Sequence, residues 1–436
     1  MNLARSQVLG QGRVFKLAEL MEDSTPRVTA TRAAIAFIYA TVFLDVLGFG
    51  IIIPVLPGLV VGFVGDTARG AEVYGLFGTV WALMQFIFSP VIGALSDRFG
   101  RRPVLILSAI GLGLDYVIMA LAPTLTWLFI GRVISGVTSA SYAASFAYVA
   151  DVTPPTRRAG AYGSIGALWG IGFILGPAIG GLLGGLGPRV PFWGAAVASL
   201  ASAGYGLVVL RESLARENRS AFSLRRANPV GSLGLIRSRP GLSGLMTVNF
   251  LNFLGFQVLP SVFVLYAGYR YGWGTTTVGL ALAIVGVSNI IVQGILVRPF
   301  IARFGERTAL LTGLAFGAAS FVVYGLAPDG ILFMTGVVVY APIGLAGPAV
   351  QGLMTRRVGP TEQGRLQGAN SSIMGLTGVI GPSLFTFIFA LFISVQSPIS
   401  LPGAPFLLAG LLALAALLLA VQVTRRSEAQ NQLEIR

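Results

Sequence analysis

The stretch AAIAFIYATVFLDVLGFGIIIPVLP, residues 33–57, contains a single charged side chain, the carboxylate of Asp45. A helix needs about 20 apolar residues to cross roughly 30 Å of hydrocarbon, and this stretch is long enough. It therefore predicts a transmembrane helix with an acid in its middle. An acid in that place either pairs with a neighbour, loses its charge, or has a function.

The composition of the whole chain supports a membrane protein with several crossings. Of the 436 residues, 55% are hydrophobic and only 11% are charged, with a mean hydropathy of +0.81. These values are far too apolar for a soluble domain. The sequence has no cysteine and no histidine, which removes disulfides, thiolate metal sites and the commonest general base. We therefore expect no enzymatic activity, no metal site and no cofactor.

The net charge of +14 raises the alternative of a nucleic-acid partner, which would need a basic face with aromatic side chains on a folded domain. Instead, the arginines lie in short loops between apolar runs. If both termini are cytoplasmic, 26 of the 30 basic residues fall in inner loops and tails. Outside lie only Arg69, Arg189 and Arg270, and Arg132 lies within a span. This asymmetry predicts an even number of crossings, both ends inside, and no nucleic-acid binding.

Twelve apolar segments are long enough to cross a membrane. They are predicted at residues 33–57, 73–95, 103–122, 125–150, 161–184, 190–210, 242–268, 276–300, 308–326, 330–354, 370–394 and 402–423. The longest polar connection divides them into two sets of six. The predicted domains are an N-terminal tail (1–32), a first bundle (33–210), a linker (211–241), a second bundle (242–423) and a C-terminal tail (424–436). The first 30 residues are polar and predict no secretory signal.

The two sets of six carry matching motifs, which indicates internal duplication. At a fixed offset of 205 residues, Arg98-Phe99-Gly100-x-Arg102 corresponds to Arg303-Phe304-Gly305-x-Arg307. The same offset relates Pro155-Thr156 to Pro360-Thr361, Gly163 to Gly368, and Gly176-Pro177 to Gly381-Pro382. Single glycine matches are uninformative in a chain with 58 glycines, but multi-residue matches that share one offset are not.

Several motifs resemble those of the major facilitator superfamily. The segment GALSDRFGRRP, residues 93–103, is similar to the loop signature between that family's second and third helices. The segment GFILGPAIGG, residues 172–181, resembles the antiporter signature of its drug/proton exchangers, and Arg132 with Gly136 is similar to its third motif. The resemblance implies an all-α membrane fold in which twelve transmembrane helices form two pseudo-symmetric six-helix bundles.

A narrower resemblance is to the tetracycline/proton antiporter branch. It rests on FLDVLGFGIIIPVLP (43–57), ALMQFIFSPVIGALSDRFGRRPVL (82–105), LDYVIMA (114–120) and EQGRLQG (362–368). It implies export of small amphipathic compounds in exchange for protons by alternating access, with no nucleotide-binding motif needed; GxxxxGK[ST] is indeed absent from the sequence. Alternatives are a proton-coupled symporter of a sugar or metabolite and a lipid scramblase-like facilitator.

The resemblance also implies roles for the loop and helix motifs. The gating residues would be Gly93, Asp97, Arg98, Gly100, Arg101, Arg102 and Asp151, forming a charge cluster that closes the inner side in the outward-facing state. A simple positive-inside turn is the alternative. The antiporter helix would use Gly172, Gly176, Pro177, Gly180 and Gly181, whose four-residue spacing also suits close helix packing.

Asp45 and Asp115 are the acids predicted to lie deep within spans. An ionised carboxylate at mid-membrane costs roughly 2.5–3.5 kcal/mol on insertion scales, so both should face the protein interior or a water-filled cavity. Either acid could pair with Arg132 or be neutralised by protonation. We predict that Asp45, Asp115 and Arg132 couple proton movement to substrate movement, and the tetracycline branch carries acids at both positions.

Other polar or aromatic side chains within the predicted spans are candidates for the wall of a substrate cavity. They are Phe49, Trp81, Gln85, Trp169, Asn249, Asn252, Gln257, Asn289 and Gln293. The alternative is helix packing, because most interhelical amides contribute only roughly 0.6 kcal/mol. The contexts ALMQFIF around Gln85 and GFQVLPSVFVLY around Gln257 match the family's cavity glutamines.

One departure from the tetracycline branch concerns the ninth helix, where Phe316 stands at the place of a further acid; the eighth helix also lacks that branch's histidine. A neutral or cationic amphiphile is therefore favoured over a metal-chelated drug. The expected partners are a small-molecule substrate, protons and the lipid bilayer. We expect a monomer in a prokaryotic cytoplasmic (inner) membrane.

Overall fold

The computed structural model describes residues 32–154, 157–220, 242–359 and 362–434. The predicted N-terminal tail, most of the linker, and the matched Pro-Thr pairs lie outside these residues. Within the described residues the chain is built of helices, with no strand. The prediction of an all-α fold is confirmed.

The described residues of the first half form eight helices. They are α1 (Arg32–Ile52), α2 (Leu56–Val64), α3 (Thr67–Phe99), α4 (Arg101–Leu121), α5 (Leu125–Thr138), α6 (Tyr142–Val152), α7 (Arg158–Leu186) and α8 (Val190–Val209). A short 3-10 turn, Ser139–Ser141, joins α5 to α6, and another, Arg216–Asn218, follows α8. Helix α2 continues the first crossing past Pro54, so this crossing reaches Val64 rather than the predicted residue 57.

The second half also forms eight helices. They are α9 (Leu242–Phe256), α10 (Val258–Tyr271), α11 (Thr275–Ile291), α12 (Val297–Leu326), α13 (Gly330–Tyr340), α14 (Ala346–Thr355), α15 (Gln363–Ile393) and α16 (Ala404–Glu434). A π-helical turn, Val292–Leu296, joins α11 to α12, and a 3-10 turn, Ala341–Leu345, joins α13 to α14.

Eleven stretches of the described residues are long and apolar enough to span a membrane. One of them, Thr275–Leu326, is 52 residues long, and its backbone leaves helical geometry at Gly305 (φ 79°). Only glycine adopts such a φ without strain. The stretch therefore makes two crossings that meet at Gly305, just as the second and third crossings meet at Gly100 (φ 105°). This gives the twelve crossings that the sequence predicts.

Packing groups the crossings into an N-terminal lobe (α1–α8) and a C-terminal lobe (α9–α16). In the first, α1 packs against α7 and α8, α4 against α8, and α3 against α5. In the second, α16 packs against α9 and α12, and α15 against α9 and α10. The lobes meet mainly where α3 packs against α15 and α7 against α11. We call the side at which α1 begins and α3 ends the terminal side, and the opposite side the distal side.

Candidate functional site

A buried ion pair lies inside the N-terminal lobe. Nη2 of Arg132, on α5, is 3.8 Å from Oδ2 of Asp115, on α4, and both side chains are almost fully buried. The same guanidinium nitrogen donates to the sulfur of Met119 at 3.2 Å. Gly131 makes room for the pair, because a Cβ there would lie 2.7 Å from Oδ1 of Asp115. Of the two acids predicted within the spans, Arg132 therefore pairs with Asp115.

Asp45 lies in the middle of α1 and is half-buried. Its Oδ1 is enclosed and has no hydrogen-bond partner among the described residues. No ion pair to Asp45 is present in the described part of the chain either. Neither carboxylate oxygen of Asp115 has a hydrogen-bond partner among the described residues either, but Asp115 has a guanidinium 3.8 Å away, so Asp45 is the less compensated of the two acids.

Tyr116 connects these two acids and was not singled out from the sequence. It follows Asp115 directly and is buried, and its hydroxyl lies against α1, where a Cβ on Gly48 would be 3.2 Å away. In the sequence, the available signal for Tyr116 was its position next to Asp115 in LDYVIMA. Its contact with α1 could not be predicted, because it depends on the approach of α4 to α1.

The aromatic candidates Phe49 and Trp81 stack on each other, with ring centroids 5.0 Å apart. The indole nitrogen of Trp81 is buried and has no partner among the described residues. Gln85 is half-buried one turn after Trp81 on α3. The backbone of Trp169 lies on α7, but its side chain lies outside the described part. The stacked rings of Phe49 and Trp81 join α1 to α3.

The predicted antiporter helix, α7, is held between α1 and α11 by its glycines. A Cβ on Gly176 would lie 2.6 Å from the Cα of Gly50, and one on Gly180 would lie 2.0 Å from a backbone oxygen of Ile51. Towards the other lobe, a Cβ on Gly181 would lie 2.9 Å from the Cα of Gly279. These contacts require glycine, and α7 continues through Pro177 without ending.

Gly172 belongs to the same face, since its added Cβ would lie 3.0 Å from Val46, the neighbour of Asp45. The backbone of α7 therefore passes close to the part of α1 that carries the uncompensated acid. The glycine face of α7 that packs closely against α1 is therefore also the face that would take part in antiport.

The amide candidates of the C-terminal lobe fall into different environments. Asn249 is buried and donates to Asn370 of α15, so it joins two helices. Gln257 lies at the break between α9 and α10, where an added Cβ on Gly381 would lie 2.4 Å from its Cβ. Asn252 is half-buried on α9. These amides lie within the packing of the lobe.

Asn289 and Gln293 form the remaining amide pair. Nε2 of Gln293 donates to Oδ1 of Asn289 at 2.8 Å, at the start of the π-helical turn. Such turns within α-helices are frequent at functional sites.

A cavity lies between the lobes. It is walled by α7, α9, α10, α11 and α13, by the residue that follows α1, and by the turn that follows α13. The lining residues are Ile53, Phe173, Pro177, Phe256, Leu259, Pro260, Phe263, Leu282, Val285, Gly286, Ser288, Asn289, Val337, Tyr340, Ala341 and Ile343. None of them is charged. Of the predicted cavity residues whose side chains the structure describes, only Asn289 lines it, while Asp45 and the pair of Asp115 with Arg132 lie outside its wall.

The predicted gating cluster centres on Arg101. Its Nη1 donates to Asp97 at 2.5 Å and to Ser96 at 2.7 Å, and its Nε lies 3.3 Å from Oδ2 of Asp151. Oγ of Ser96 in turn donates to the carbonyl of Gly93 at 2.8 Å. The loop is thereby fixed to the end of α6.

The other two arginines of the loop have separate partners. Arg98 is exposed, with its guanidinium 5.1 Å from the ring centroid of Phe99, and Arg102 donates to the carbonyl of Leu207 at 2.8 Å. Sequence reasoning missed Glu212, whose carboxylate accepts from the backbone amides of Arg101 (2.8 Å) and Arg102 (3.3 Å). It caps α4 from the linker, and Gly100 leaves the space it occupies.

The lobes touch along the distal half and separate towards the terminal side. Oγ1 of Thr79 donates to the carbonyl of Val379 at 2.8 Å, and Oγ1 of Thr276 to that of Gly181 at 3.2 Å. Further along α7, a Cβ on Gly163 or Gly166 would meet nothing within 4 Å. The contacts between the lobes therefore lie in the distal half, and Gly163 and Gly166, nearer the terminal side, face open space.

Sequence comparison agrees with this architecture. The Major Facilitator Superfamily model matches residues 38–341 and 245–435. The chain belongs to the major facilitator superfamily. Tetracycline resistance protein class C of Escherichia coli is 38% identical over 82% of this chain and 90% of its own length. The class H protein of Pasteurella multocida is 34% identical over 82% of this chain and 89% of its own length.

Solved structures support the fold of this superfamily member. A bacterial homologue of the human lysosomal transporter Spinster, in an inward-facing and unoccupied conformation, matches with a TM-score of 0.72 and 17% identity, covering 90% of this chain and 96% of that one. The chain is an integral membrane protein of a transporter family, and the expected resemblance to the tetracycline-exporter branch is confirmed. The residue that stands for that branch's ninth-helix acid, Phe316, is 45% exposed on α12.

Proposed function

We propose that this protein is a secondary active transporter that exports small amphipathic compounds in exchange for protons. The observation that carries the proposal is the unpaired, half-buried Asp45 on α1, in a two-lobed bundle whose lobes contact each other along the distal half. Alternation between this form and one open on the distal side would expose Asp45 to each solution in turn.

The proton-carrying role falls to Asp45. A carboxylate enclosed in the bundle without a cation is unfavourable, so Asp45 would hold a proton while water is excluded and release it when the terminal side opens. Asp115 differs, because Arg132 beside it favours the ionised form. The pair of Asp115 and Arg132 would fix α4 to α5 and keep Tyr116 directed at α1.

The substrate class follows from the uncharged cavity. Phe173, Phe256 and Phe263 offer aromatic faces, while Asn289 and Tyr340 offer polar atoms. A small compound with an apolar, planar part and a polar edge suits this wall. Because two relatives are named tetracycline resistance proteins, a tetracycline-like shape is the first candidate. The cavity wall has no acid for a chelated metal ion, so a neutral or cationic compound fits better.

Orientation completes the proposal. The excess of arginine in the loops of the terminal side would place that side and both termini in the cytoplasm. The structure then corresponds to an inward-facing form of a monomer in the cytoplasmic (inner) membrane of a prokaryote. Gating would use Asp97, Arg101 and Asp151, with Gly93 and Gly100 shaping the loop.

The test compares Asp45→Asn with Asp329→Asn in proteoliposomes under a proton gradient. Asp329 is a helix N-cap on the distal side, and asparagine caps equally well, so this control changes the same charge without affecting the spans. Asp45→Asn is expected to abolish uphill accumulation of a planar amphiphile such as tetracycline, together with the substrate-driven pH change. Undiminished uphill transport by Asp45→Asn would remove this acid from the mechanism.

The same experiment separates other transport modes. Proton movement in the same direction as the substrate would identify a symporter. Lipid movement that does not depend on pH would identify a scramblase-like facilitator.

A further inference from the structure

Two amide side chains at the edge of the cavity bind each other rather than a neighbouring helix. Nε2 of Gln293 donates to Oδ1 of Asn289 at 2.8 Å, and the two residues are four apart in the sequence. Asn249, in contrast, donates to Asn370 and so joins α9 to α15. Contact between helices therefore explains Asn249, but it does not explain the pair of Asn289 and Gln293.

The backbone around this pair is irregular. Gln293 lies in the π-helical turn Val292–Leu296, and the 3-10 turn Ala341–Leu345 lies against it. A Cβ on Gly344, in the 3-10 turn, would lie 3.6 Å from both Oδ1 of Asn289 and Cγ of Gln293. Asn289 itself lines the cavity, and so do two residues of the 3-10 turn. The pair therefore lies at the edge of the cavity, where two irregular turns meet.

The N-terminal lobe has no equivalent of this arrangement in its described residues. At the duplication offset of 205 residues, Asn289 corresponds to Met84 and Gln293 to Phe88. Both of these residues lie within α3, which continues as an α-helix through this stretch. The amides and the π-helical turn are therefore not required by the framework that the two lobes share. Their position beside the cavity indicates a function specific to that cavity.

The pair has hydrogen-bonding groups that the protein leaves unused. An amide side chain offers two N–H donors and one carbonyl acceptor. Within the described residues, neither Nδ2 of Asn289 nor Oε1 of Gln293 has a hydrogen-bond partner. Unpaired polar groups at membrane depth are unfavourable unless they face protein or a water-filled cavity. The free donor and the free acceptor are therefore available to a molecule in the cavity.

The free groups of the pair specify what such a molecule offers. Residues four apart on a helix are neighbours, so a ligand would meet the donor of Asn289 and the acceptor of Gln293 together. The matching group has an acceptor and a donor side by side, as in a primary carboxamide or an enolised 1,3-diketone. Neither of these groups needs a charge, which agrees with the uncharged cavity wall.

We propose that Asn289 and Gln293 together bind the polar edge of the substrate, and that this edge carries a hydrogen-bond acceptor next to an N–H or O–H donor. The aromatic residues of the cavity would contact the planar remainder of the molecule. The inference rests on the proposed function, because it names the chemistry that the same cavity selects. It does not depend on proton coupling or on the direction of transport.

The test compares two ligands that differ at this edge alone. Tetracycline carries a carboxamide beside an enol. In its nitrile derivative the carboxamide is dehydrated, which keeps an acceptor but removes the N–H donors. Binding of each compound to the full-length protein would be titrated in detergent micelles, with a chelator present to exclude metal complexes.

Three proteins would be compared: the parent, Gln293→Met, which removes the free acceptor, and the control Gln422→Met. Gln422 is exposed on α16, and no residue of α16 lines the cavity. The control therefore makes the same substitution at a position away from the proposed site.

The parent is expected to bind tetracycline about three- to tenfold more tightly than the nitrile, the size expected for one neutral hydrogen bond. Gln293→Met should weaken tetracycline binding by that factor and leave nitrile binding unchanged, so that the preference disappears. Gln422→Met should keep the preference of the parent. Gln293→Ala should behave like Gln293→Met, and it replaces that variant if the methionine variant does not fold.

Two results would overturn the inference: a parent that binds both compounds equally, or a Gln293→Met variant that keeps the preference of the parent. Failure of the proposed function looks different. A parent that discriminates between the two compounds but moves no protons during transport contradicts the exchange mechanism alone. A parent that binds neither compound contradicts both the inference and a tetracycline-like substrate.

Discussion

The N-terminal lobe places charged side chains where the C-terminal lobe places uncharged ones. At the duplication offset, Asp45 corresponds to Phe250, Asp115 to Ser320, and Arg132 to Val337. Ser320 is buried and donates to the carbonyl of Gly317 at 3.0 Å, and Val337 lines the cavity. One helical framework therefore serves two purposes: ionisable groups in one lobe and an apolar wall in the other.

Division of this kind has a physical basis. A cavity wall without charge can bind an apolar ligand without removing water from an ion. A charged side chain, in contrast, needs enclosed polar surroundings, and its own lobe provides them. With the two separated, the proposed movement of the lobes would leave the pair of Asp115 and Arg132 intact.

The largest loss of stability is expected when the cation of the N-terminal lobe, Arg132, is replaced. Arg132→Gln leaves Asp115 buried without a counter-charge, and we expect it to lower the free energy of unfolding in mixed micelles by about 3–5 kcal/mol. The double variant Asp115→Asn with Arg132→Gln should recover much of that loss, because no charge is then buried alone. A loss below about 1 kcal/mol for the single variant would contradict the assigned pairing.

A second variant pair compares equivalent glycines. A Cβ on Gly131 would lie 2.7 Å from both Asp115 Oδ1 and Met119 Cγ, whereas one on Gly336 would lie 3.1 Å from the ring of Tyr324. We expect Gly131→Ala to lower the free energy of unfolding by about 1–3 kcal/mol, the usual range for overpacking, and Gly336→Ala to have a smaller effect. Equal losses of stability in the two variants would show that the charged pair does not restrict the space at Gly131 more than the ring of Tyr324 restricts it at Gly336.

A third prediction concerns how each lobe stabilises the helix after its loop. An acidic side chain is favourable at the start of a helix. In the C-terminal lobe, Glu306 occupies that position. In the N-terminal lobe, α4 begins with Arg101, and the carboxylate comes from Glu212 of the linker. Glu212→Gln should lower local stability by about 1.5 kcal/mol, the lower end of the range for hydrogen bonds to charged groups, because the side chain is 27% exposed.

Hydrogen exchange of two loops would measure this effect. Glu212→Gln should speed exchange at residues 97–102 and leave residues 303–307 unchanged. Faster exchange in both loops would contradict a role limited to the N-terminal lobe.

The smallest expected effects separate two asparagines of the C-terminal lobe. Asn249 joins α9 to α15, so Asn249→Ala should lower stability by roughly 0.6 kcal/mol, the average for an interhelical hydrogen bond, with substrate affinity unchanged. Asn289 lines the cavity, so Asn289→Ala should weaken substrate binding a few-fold with little effect on stability. Binding titration and unfolding of both variants would check this, and the opposite assignment of effects would remove Asn289 from the substrate wall.

Much of the fold could be predicted because lipid restricts the chain so strongly. A crossing must be a long apolar helix, and the twelve predicted crossings are present. The boundaries were less predictable. Pro54 interrupts the first crossing without ending it, and Gly305 divides one long helical stretch into two crossings.

The candidate site was predictable in its charged residues and not in its contacts. Asp115 and Arg132 could be predicted as partners of some kind, since unpaired charges are rare within spans. The contacts of these side chains depend on which helices are neighbours. Examples are Arg101 in the predicted gating cluster, Tyr116 against α1, and Glu212 at the start of α4.

Sequence alone determined that the chain crosses the membrane twelve times, that it is duplicated, and which ionisable groups are buried among apolar residues. These properties follow from local hydrophobicity and from spacing along the chain. The tertiary structure was needed to show which acid Arg132 pairs with, which candidate amide lines the cavity, and where the two lobes contact each other. Those outcomes depend on contacts between residues far apart in sequence, and the hydrophobicity of each segment does not specify its neighbours.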